Sequence, residues 1–246
     1  MRTYTDCHVH SLLPNIRHAK STIEENVVEA INKGLKTIAI TNHGTSHFLY
    51  GIRKKDIKNI KTQIEELRVN YPQIEILMGV EGNIISLDGD TDLTKEITDL
   101  CDIILCGHHN GVIYKNLSSF WNFFVMNFFA KRLGWFKNRQ LRINTNSVVR
   151  ALDKYNIDIL THPGDKKIVI MEEIAKAAEK NKVLLEINNS HTHLNTSEIK
   201  VCSKYKVNFI INSDSHIKDT IGTYSSAVER AKEAGLDMSR IVNLEQ

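Results

Sequence analysis

Seven short apolar runs, most of them followed by a longer amphipathic stretch, most restrict what this 246-residue chain can fold into. The runs span residues 2–7, 37–41, 75–81, 102–107, 158–161, 183–187 and 208–212. Runs this short and this continuously apolar read as strands buried on both faces. Residues 22–33, 53–69, 146–155, 168–180, 196–205 and 221–234 read as helices. In the second of these, Ile57, Ile60, Ile64 and Leu67 recur at three- and four-residue steps and share one face. Gly34 stops the first helix, and Lys180-Asn181-Lys182 and Tyr205-Lys206-Val207 stop later ones. Strands alternating with helices predict a parallel sheet with crossover connections. No G-x-G-x-x-G or Walker loop follows any strand, which removes the usual reason for an open doubly wound sheet. The expectation is an α/β fold, a seven-unit barrel in a single domain over residues 1–246.

The apolar (41%) and charged (25%) fractions suit one globular domain with a sizeable core. A formal charge of +3 is compatible with an anionic substrate, but no basic tail of the kind that grips nucleic acid is present. Cys7, Cys101, Cys106 and Cys202 form no C-x-x-C pair, and Cys7 and Cys106 lie in apolar runs, so reduced buried thiols in a cytoplasmic protein are expected. Met1 to Asp6 lacks a signal-peptide core, and no apolar run is long enough to span a bilayer.

One segment breaks the rhythm. Residues 114–146 hold both tryptophans and six of the eight phenylalanines, followed by Lys131, Arg132, Lys137, Arg139 and Arg142. This insertion follows the fourth strand and is expected on the same face as the strand ends. Three uses fit it: a helix packed on the barrel rim, a lid or substrate wall that excludes water, or a membrane-surface or oligomer contact.

The strand ends carry the chemistry. The first run leads into Asp6-Cys7-His8-Val9-His10, where His8 and His10 share a side of an extended chain. The following runs end in Asn42-His43-Gly44, Glu81-Gly82-Asn83, Gly107-His108-His109, Thr161-His162-Pro163-Gly164, Glu186-Ile187-Asn188-Asn189-Ser190-His191 and Asn212-Ser213-Asp214-Ser215-His216. Singly, each residue has an ordinary structural use: Asp214 as a helix cap, Glu81 as an ion-pair partner, a lone histidine on the surface. Independent accidents do not place them all at the same end of successive strands. In a parallel barrel those ends meet on one face. Histidine with carboxylate suits zinc, manganese or iron, and the set exceeds the roughly four ligands of one tetrahedral site, so two or three cations are expected.

In order and spacing these motifs resemble the polymerase and histidinol phosphatase (PHP) superfamily, from Asp6 to His216: H-x-H, N-H-G, G-x-E-x-N, G-x-H, T-H-P-G, E-I-N-N-S and S-D-S-H. The resemblance is nearest to the small stand-alone phosphatases that bind three metals, and it implies a distorted TIM-like (β/α)7 barrel. It also implies nine ligands. His8, His10, Glu81 and Asp214 would hold the first metal. Glu81 would bridge to a second, held by His109 and His162. His18, in Arg17-His18-Ala19-Lys20, would hold a third with His43 and His216. His109 is preferred to His108 because the motif places the ligand two residues after Gly107, and neighbours on a strand point opposite ways. Thr41-Asn42-His43 departs from the pattern, in which many relatives have Asp before the histidine.

The activity implied is hydrolysis of a small phosphomonoester by a hydroxide activated between cations, zinc first and manganese or iron otherwise. Glu81, Asp214 and His216 would be central to it and His191 a candidate general acid. His191 and His193 otherwise read as surface loop residues, and His47 as structural or surface. Cys7 is expected to point into the barrel wall. A nuclease or nucleotidase of the same superfamily is the alternative. A histidinol phosphatase, a protein tyrosine phosphatase (suggested by residues 6–14) and a non-catalytic scaffold fit less well. Amidohydrolase barrels share the opening H-x-H, but they use a lysine on the fourth strand, where His109 stands. No stable nucleic-acid partner is expected.

Overall fold

A computed structural model describes residues 2–13 and 18–245. Pro14 and Arg17, which enter the motifs above, lie outside the described residues. Strands β1 (Thr5–Val9), β2 (Thr37–Ile40), β3 (Glu75–Asn83), β4 (Ile103–Gly107), β5 (Ile159–Leu160), β6 (Leu184–Asn188) and β7 (Phe209–Asn212) pair in sequence order, all parallel. A parallel bridge between Val9 and Ser215 joins the two edges at the C-terminal end, where His10 N donates to Ser215 O at 2.8 Å. The result is a nearly closed, distorted TIM-like barrel.

The helices are α1 (Ile23–Asn32), α2 (Lys54–Asn70), the short α3 (Lys95–Thr98) and α4 (Leu117–Phe120), then a π-helix (Trp121–Met126) running into α5 (Asn127–Leu133). They continue as α6 (Lys137–Lys154), α7 (Met171–Asn181), α8 (Thr196–Cys202) and α9 (Ser225–Glu233). Local chemistry marks the ends. Thr22 caps α1 in a capping box with Glu25, and Asn195 caps α8 in the same way with Glu198. Gly34 follows α1 at φ +71°, a left-handed turn that favours glycine.

Side chains sort by the pleat. Ile38, Ile40, Ile76, Met78, Ile104, Leu185, Ile187, Phe209 and Ile211 face outward into one large core with the helices. A smaller second core holds Cys7, Ala39, Leu105, Ile159 and Ile210, with Leu77, Ile103 and Leu184 against it. Every strand contributes to it and no helix does, so it fills the barrel interior. It forms the apolar floor under the strand ends.

Three details depart from the sequence reading. First, β1 begins later and runs further than the apolar run. Thr3 is taken by an antiparallel bridge to Leu244, and the His8–His10 backbone is held by Ser215. Second, the register slips between Asp6 and Val9, which pair with Ile38 and Ile40, so Cys7 and His8 together oppose Ala39. This bulge turns Cys7 into the interior core rather than the wall. Third, α6 starts at Lys137, inside the stretch assigned to the insertion. Its buried face carries Gln140, Asn144, Thr145 and Ser147, so apolar periodicity could not reveal it. Most of these groups are satisfied: Gln140 Nε2 donates to Asn144 Oδ1, Asn144 Nδ2 to Asn127 Oδ1 and Ile168 O, and Ile170 N to Thr145 Oγ1, while Gln140 Oε1 has no partner.

Candidate metal centre

Glu81 stands at the middle of the strand-end cluster. Its side chain is fully buried on β3, in the same inward phase as Leu77. Four imidazole nitrogens approach Oε1 or Oε2 within 3.3 Å: His43 Nδ1 at 2.8 Å, His109 Nε2 at 2.9 Å, His162 Nε2 at 3.1 Å and His8 Nε2 at 3.3 Å. His10 Nε2 lies 3.6 Å from Oε2 and 3.3 Å from Asp214 Oδ1. On the far side, His18 Nε2 is 2.7 Å from His216 Nε2 and 3.3 Å from His43 Nε2. Three groups have ligand atoms mutually within 4.8 Å: His8, His10 and Glu81; His43, Glu81 and His109; His10, His43 and His216. The structure thus brings all nine expected residues into one cluster. Its close groups overlap, with His10, His43 and Glu81 each shared between two of them, rather than dividing into separate sets.

Neighbouring acceptors turn these rings. His8 Nδ1 donates to Glu186 Oε1 at 2.8 Å, His109 Nδ1 to Asn83 Oδ1 at 2.8 Å and His216 Nδ1 to Asp214 O at 3.0 Å. A backbone carbonyl or carboxylate can only accept, so each ring keeps a proton on Nδ1 and turns Nε2 toward the centre. Asn83 is itself fixed: its Nδ2 donates to Asp92 Oδ2 at 2.7 Å, so its oxygen must face His109. Glu186 also accepts from Asn188 Nδ2 (2.9 Å), Asn212 Nδ2 (3.0 Å) and His162 N (2.9 Å). The sequence reading named Asn83, Glu186 and Asn188 within strand-end motifs but gave them no role, and it did not name Asp92. Period two flags three of them: Asn83 shares Glu81's face, and Glu186 and Asn188 share theirs.

Two backbone features serve the site. Asp214 and His162 adopt positive φ, +53° and +27°. Such conformations cost on the order of 1–3 kcal/mol in residues other than glycine and persist where the surroundings impose them. Both sit where a strand ends and its side chain must turn toward Glu81. Gly107, two residues before His109, has no room for a Cβ, which would collide with Thr161 Oγ1.

Protonation is shared unevenly. Burial works against charge on His8, yet Asp214, Glu81 and Glu186 outweigh it and raise its pKa well above the ordinary value. For His162, burial is likewise outweighed by its bond to Glu81. Burial lowers His109 and His18 to about 4, and it lowers His10 and His216 as well, aided by neighbouring imidazoles. Burial opposes ionisation of Glu81, but His109, His8 and His43 hold it ionised.

Despite this crowd of donors, Glu81 Oε2 and His43 Nδ1 are buried with no hydrogen-bond partner, although they stand 2.8 Å apart. Unsatisfied buried acceptors are costly. A cation among them would satisfy both at once, and nitrogen with carboxylate oxygen is a donor set that suits zinc, manganese or iron. The residues fit a metal.

Other histidines differ. His108 faces outward, toward Ser147 Oγ at 3.1 Å and the edge of Phe123. His47 is not a surface residue: it is buried, stacked on His43 at 4.8 Å, and lowered to about 3 by burial and His43. His193 pairs with Glu198 of α8, away from the cluster. His191 is partly exposed, with Nε2 3.2 Å from Asp214 Oδ2 and Nδ1 3.4 Å from Asp165 Oδ2. Tyr50, unmarked in the sequence, stacks on His18 at 3.8 Å. Burial pushes the Cys7 thiol up to about 12, which leaves no thiolate nucleophile beside the site. The cluster opens into a cavity of about 290 Å³ bordered by Tyr50, Asn110, Lys166 and His191.

Comparison with known proteins gives the family and the fold. The family model described as PHP domain matches residues 6–190. A protein of Clostridium botulinum described as a probable phosphatase is 31% identical over 255 aligned positions, covering 100% of this chain and 92% of the relative. In fold, the histidinol phosphate phosphatase of Lactococcus lactis, solved with zinc, L-histidinol and phosphate, superimposes with a TM-score of 0.62 at 18% identity, covering 95% of this chain and 94% of that one. A second solved structure, from Listeria monocytogenes, gives a TM-score of 0.66 at 16% identity over 90% and 99% of the two chains.

Proposed function

The chain belongs to the PHP domain family, and from that premise we propose that it is a metal-dependent phosphatase acting on a small phosphomonoester. The observation that carries this reading is Glu81: a buried, ionised carboxylate ringed by imidazoles, with an oxygen left unpartnered. The full-length relative described as a probable phosphatase supports it, as does the Lactococcus fold neighbour solved with zinc and phosphate.

The proposed ligands are His8, His10, Glu81 and Asp214 for one ion, Glu81, His109 and His162 for a second, and His18, His43 and His216 for a third. Zinc fits the donor set first, manganese or iron otherwise. Divalent cations bound there would supply Lewis-acid charge neutralisation and a water acidic enough to attack phosphorus near neutral pH. The protein's own groups do the rest. Glu186, Asn83 and the Asp214 carbonyl hold ring nitrogens in place, which limits reorganisation as charge develops on the phosphoryl oxygens. Lys166 and His191 line the cavity in which the substrate phosphate would sit. A proton on His191 Nε2, beside Asp214 Oδ2, is positioned for delivery to the leaving oxygen. Among the described residues no helix is long and apolar enough to cross a membrane, and the four free thiols support a cytoplasmic setting for the reaction.

The test is turnover of p-nitrophenyl phosphate beside bis-p-nitrophenyl phosphate by metal-reconstituted protein, with a chelated control and Asp214→Ala. Monoester hydrolysis lost in both controls is expected. Preference for the diester would replace this reading with a nuclease, and no metal-dependent rate on either ester would sink it.

A further inference from the structure

A larger cavity, of about 720 Å³, adjoins the histidine cavity, and Asn110 and Lys166 line both. Its wall is mostly apolar, from Phe123, Phe124, Phe128 and Phe129 of the insertion, with Lys131 and Arg132 also lining it. Phe123 is fully buried and anchors the wall, edge-on to His108 at 4.9 Å. Phe124 and Phe128, one helical turn apart, are instead 53% and 60% exposed. Rings left this open beside a concave apolar surface are what a binding site for an apolar group requires.

The wall and the catalytic rim form one piece. Asn127 Nδ2 donates to Lys166 O at 3.1 Å, and Lys131 Nζ donates to Asp165 O at 2.7 Å. Asp165 in turn faces His191 at 3.4 Å, and its carboxylate lies 2.5 Å from Lys166 Nζ. Buried Lys167 donates to Asn110 Oδ1 at 2.7 Å, fixing the residue common to both cavities. The π-helix over Trp121–Met126 widens a turn in this wall, a distortion that recurs at functional sites.

We propose that this cavity receives the leaving group of the substrate, and that the leaving group is an apolar alcohol, alkyl or aryl, whose phosphate lies at the Glu81 cluster. This rests on the phosphatase reading above. In the reaction, water adds its oxygen to phosphorus, the bond from phosphorus to the alcohol oxygen breaks, and that oxygen takes a proton. Free alcohol remains among the phenylalanines and inorganic phosphate at the cluster.

The experiment is a chain-length series: kcat/KM of the metal-loaded protein on glycerol, butyl, hexyl and octyl phosphate, each below its micelle concentration. Each methylene that enters the cavity is worth up to about fourfold, so octyl phosphate should exceed butyl phosphate by at least about tenfold. Phe128→Ser, on an exposed face, should remove most of that gain, so that octyl and butyl phosphate are hydrolysed at similar kcat/KM. Phe124→Ser provides a second, independent surface variant. Calorimetric binding of octyl sulfate against butyl sulfate should follow the same order without turnover. Equal rates along the series, with glycerol phosphate hydrolysed, would overturn the inference and leave the phosphatase reading intact. So would a shift from dimer to monomer on Phe128→Ser with no chain-length preference, which would assign the patch to a second copy of this chain. No turnover of any monoester would overturn both.

Discussion

The Glu81 cluster and the aromatic insertion meet at Asn110 and Lys166, and they bury opposite chemistry. At the cluster, charged and polar groups are taken almost wholly out of water: His8, Glu81, Asn83, Glu186 and Asn188 are fully buried. That is tolerable only because nearly every donor is matched, down to the amide of Asn83 held by Asp92. At the insertion, apolar rings do the reverse. Phe120, Trp121, Phe124, Phe128, Trp135 and Phe136 are each more than two-fifths exposed. A polar site of this kind is preorganised and intolerant of change, whereas an apolar wall tolerates substitution because its contacts are non-directional. On the reading proposed above, chemistry belongs to the first region and substrate preference to the second.

That contrast can be broken. The largest effect is expected at Glu81. Glu81→Gln keeps the shape and removes the charge shared by five imidazoles, so kcat/KM should fall by at least about 10³-fold with the circular dichroism spectrum unchanged. Activity within tenfold of wild type would mean that the cluster is not the reacting centre. Glu186→Gln should weaken metal affinity by about 10- to 100-fold in a chelator competition, because His8 loses the carboxylate that orients it. Phe124→Ser, run beside it, should leave metal affinity unchanged. Equal losses in the two variants would erase the distinction between the regions.

The smallest effect concerns Lys167, buried between them. Burial lowers its pKa from the ordinary 10.5 to about 7. Between those values the unfolded chain binds the proton that the folded chain rejects, so stability should rise with pH from about 7 toward 10. The slope attributable to one such group is at most about 1.4 kcal/mol per pH unit. Denaturant titrations at pH 7 and pH 9.5 should show this rise in wild type relative to Lys167→Met; parallel curves would refute it.

Much of the molecule was legible in the sequence, and the pattern of what was not is physical. Two tyrosine and histidine placements, Tyr50 on His18 and His47 on His43, come from a loop folding back over the cluster, and no local period encodes that. The first half of α6 was hidden because its buried face is amide and hydroxyl rather than apolar. The turn of Cys7 into the interior depends on a bulge in the pairing of β1 with β2, which no local period encodes.

By itself the sequence determined seven strands, their order of polarity along the chain, and the delivery of a histidine or carboxylate at nearly every strand end. These follow from periods of two and 3.6 residues, which are local properties. Tertiary structure alone decided that Glu186 and Asn83 turn the rings of His8 and His109. It alone brought an apolar cavity to the edge of the polar one. Each of those outcomes depends on contacts between residues far apart in the chain, and such contacts exist only once the barrel has closed.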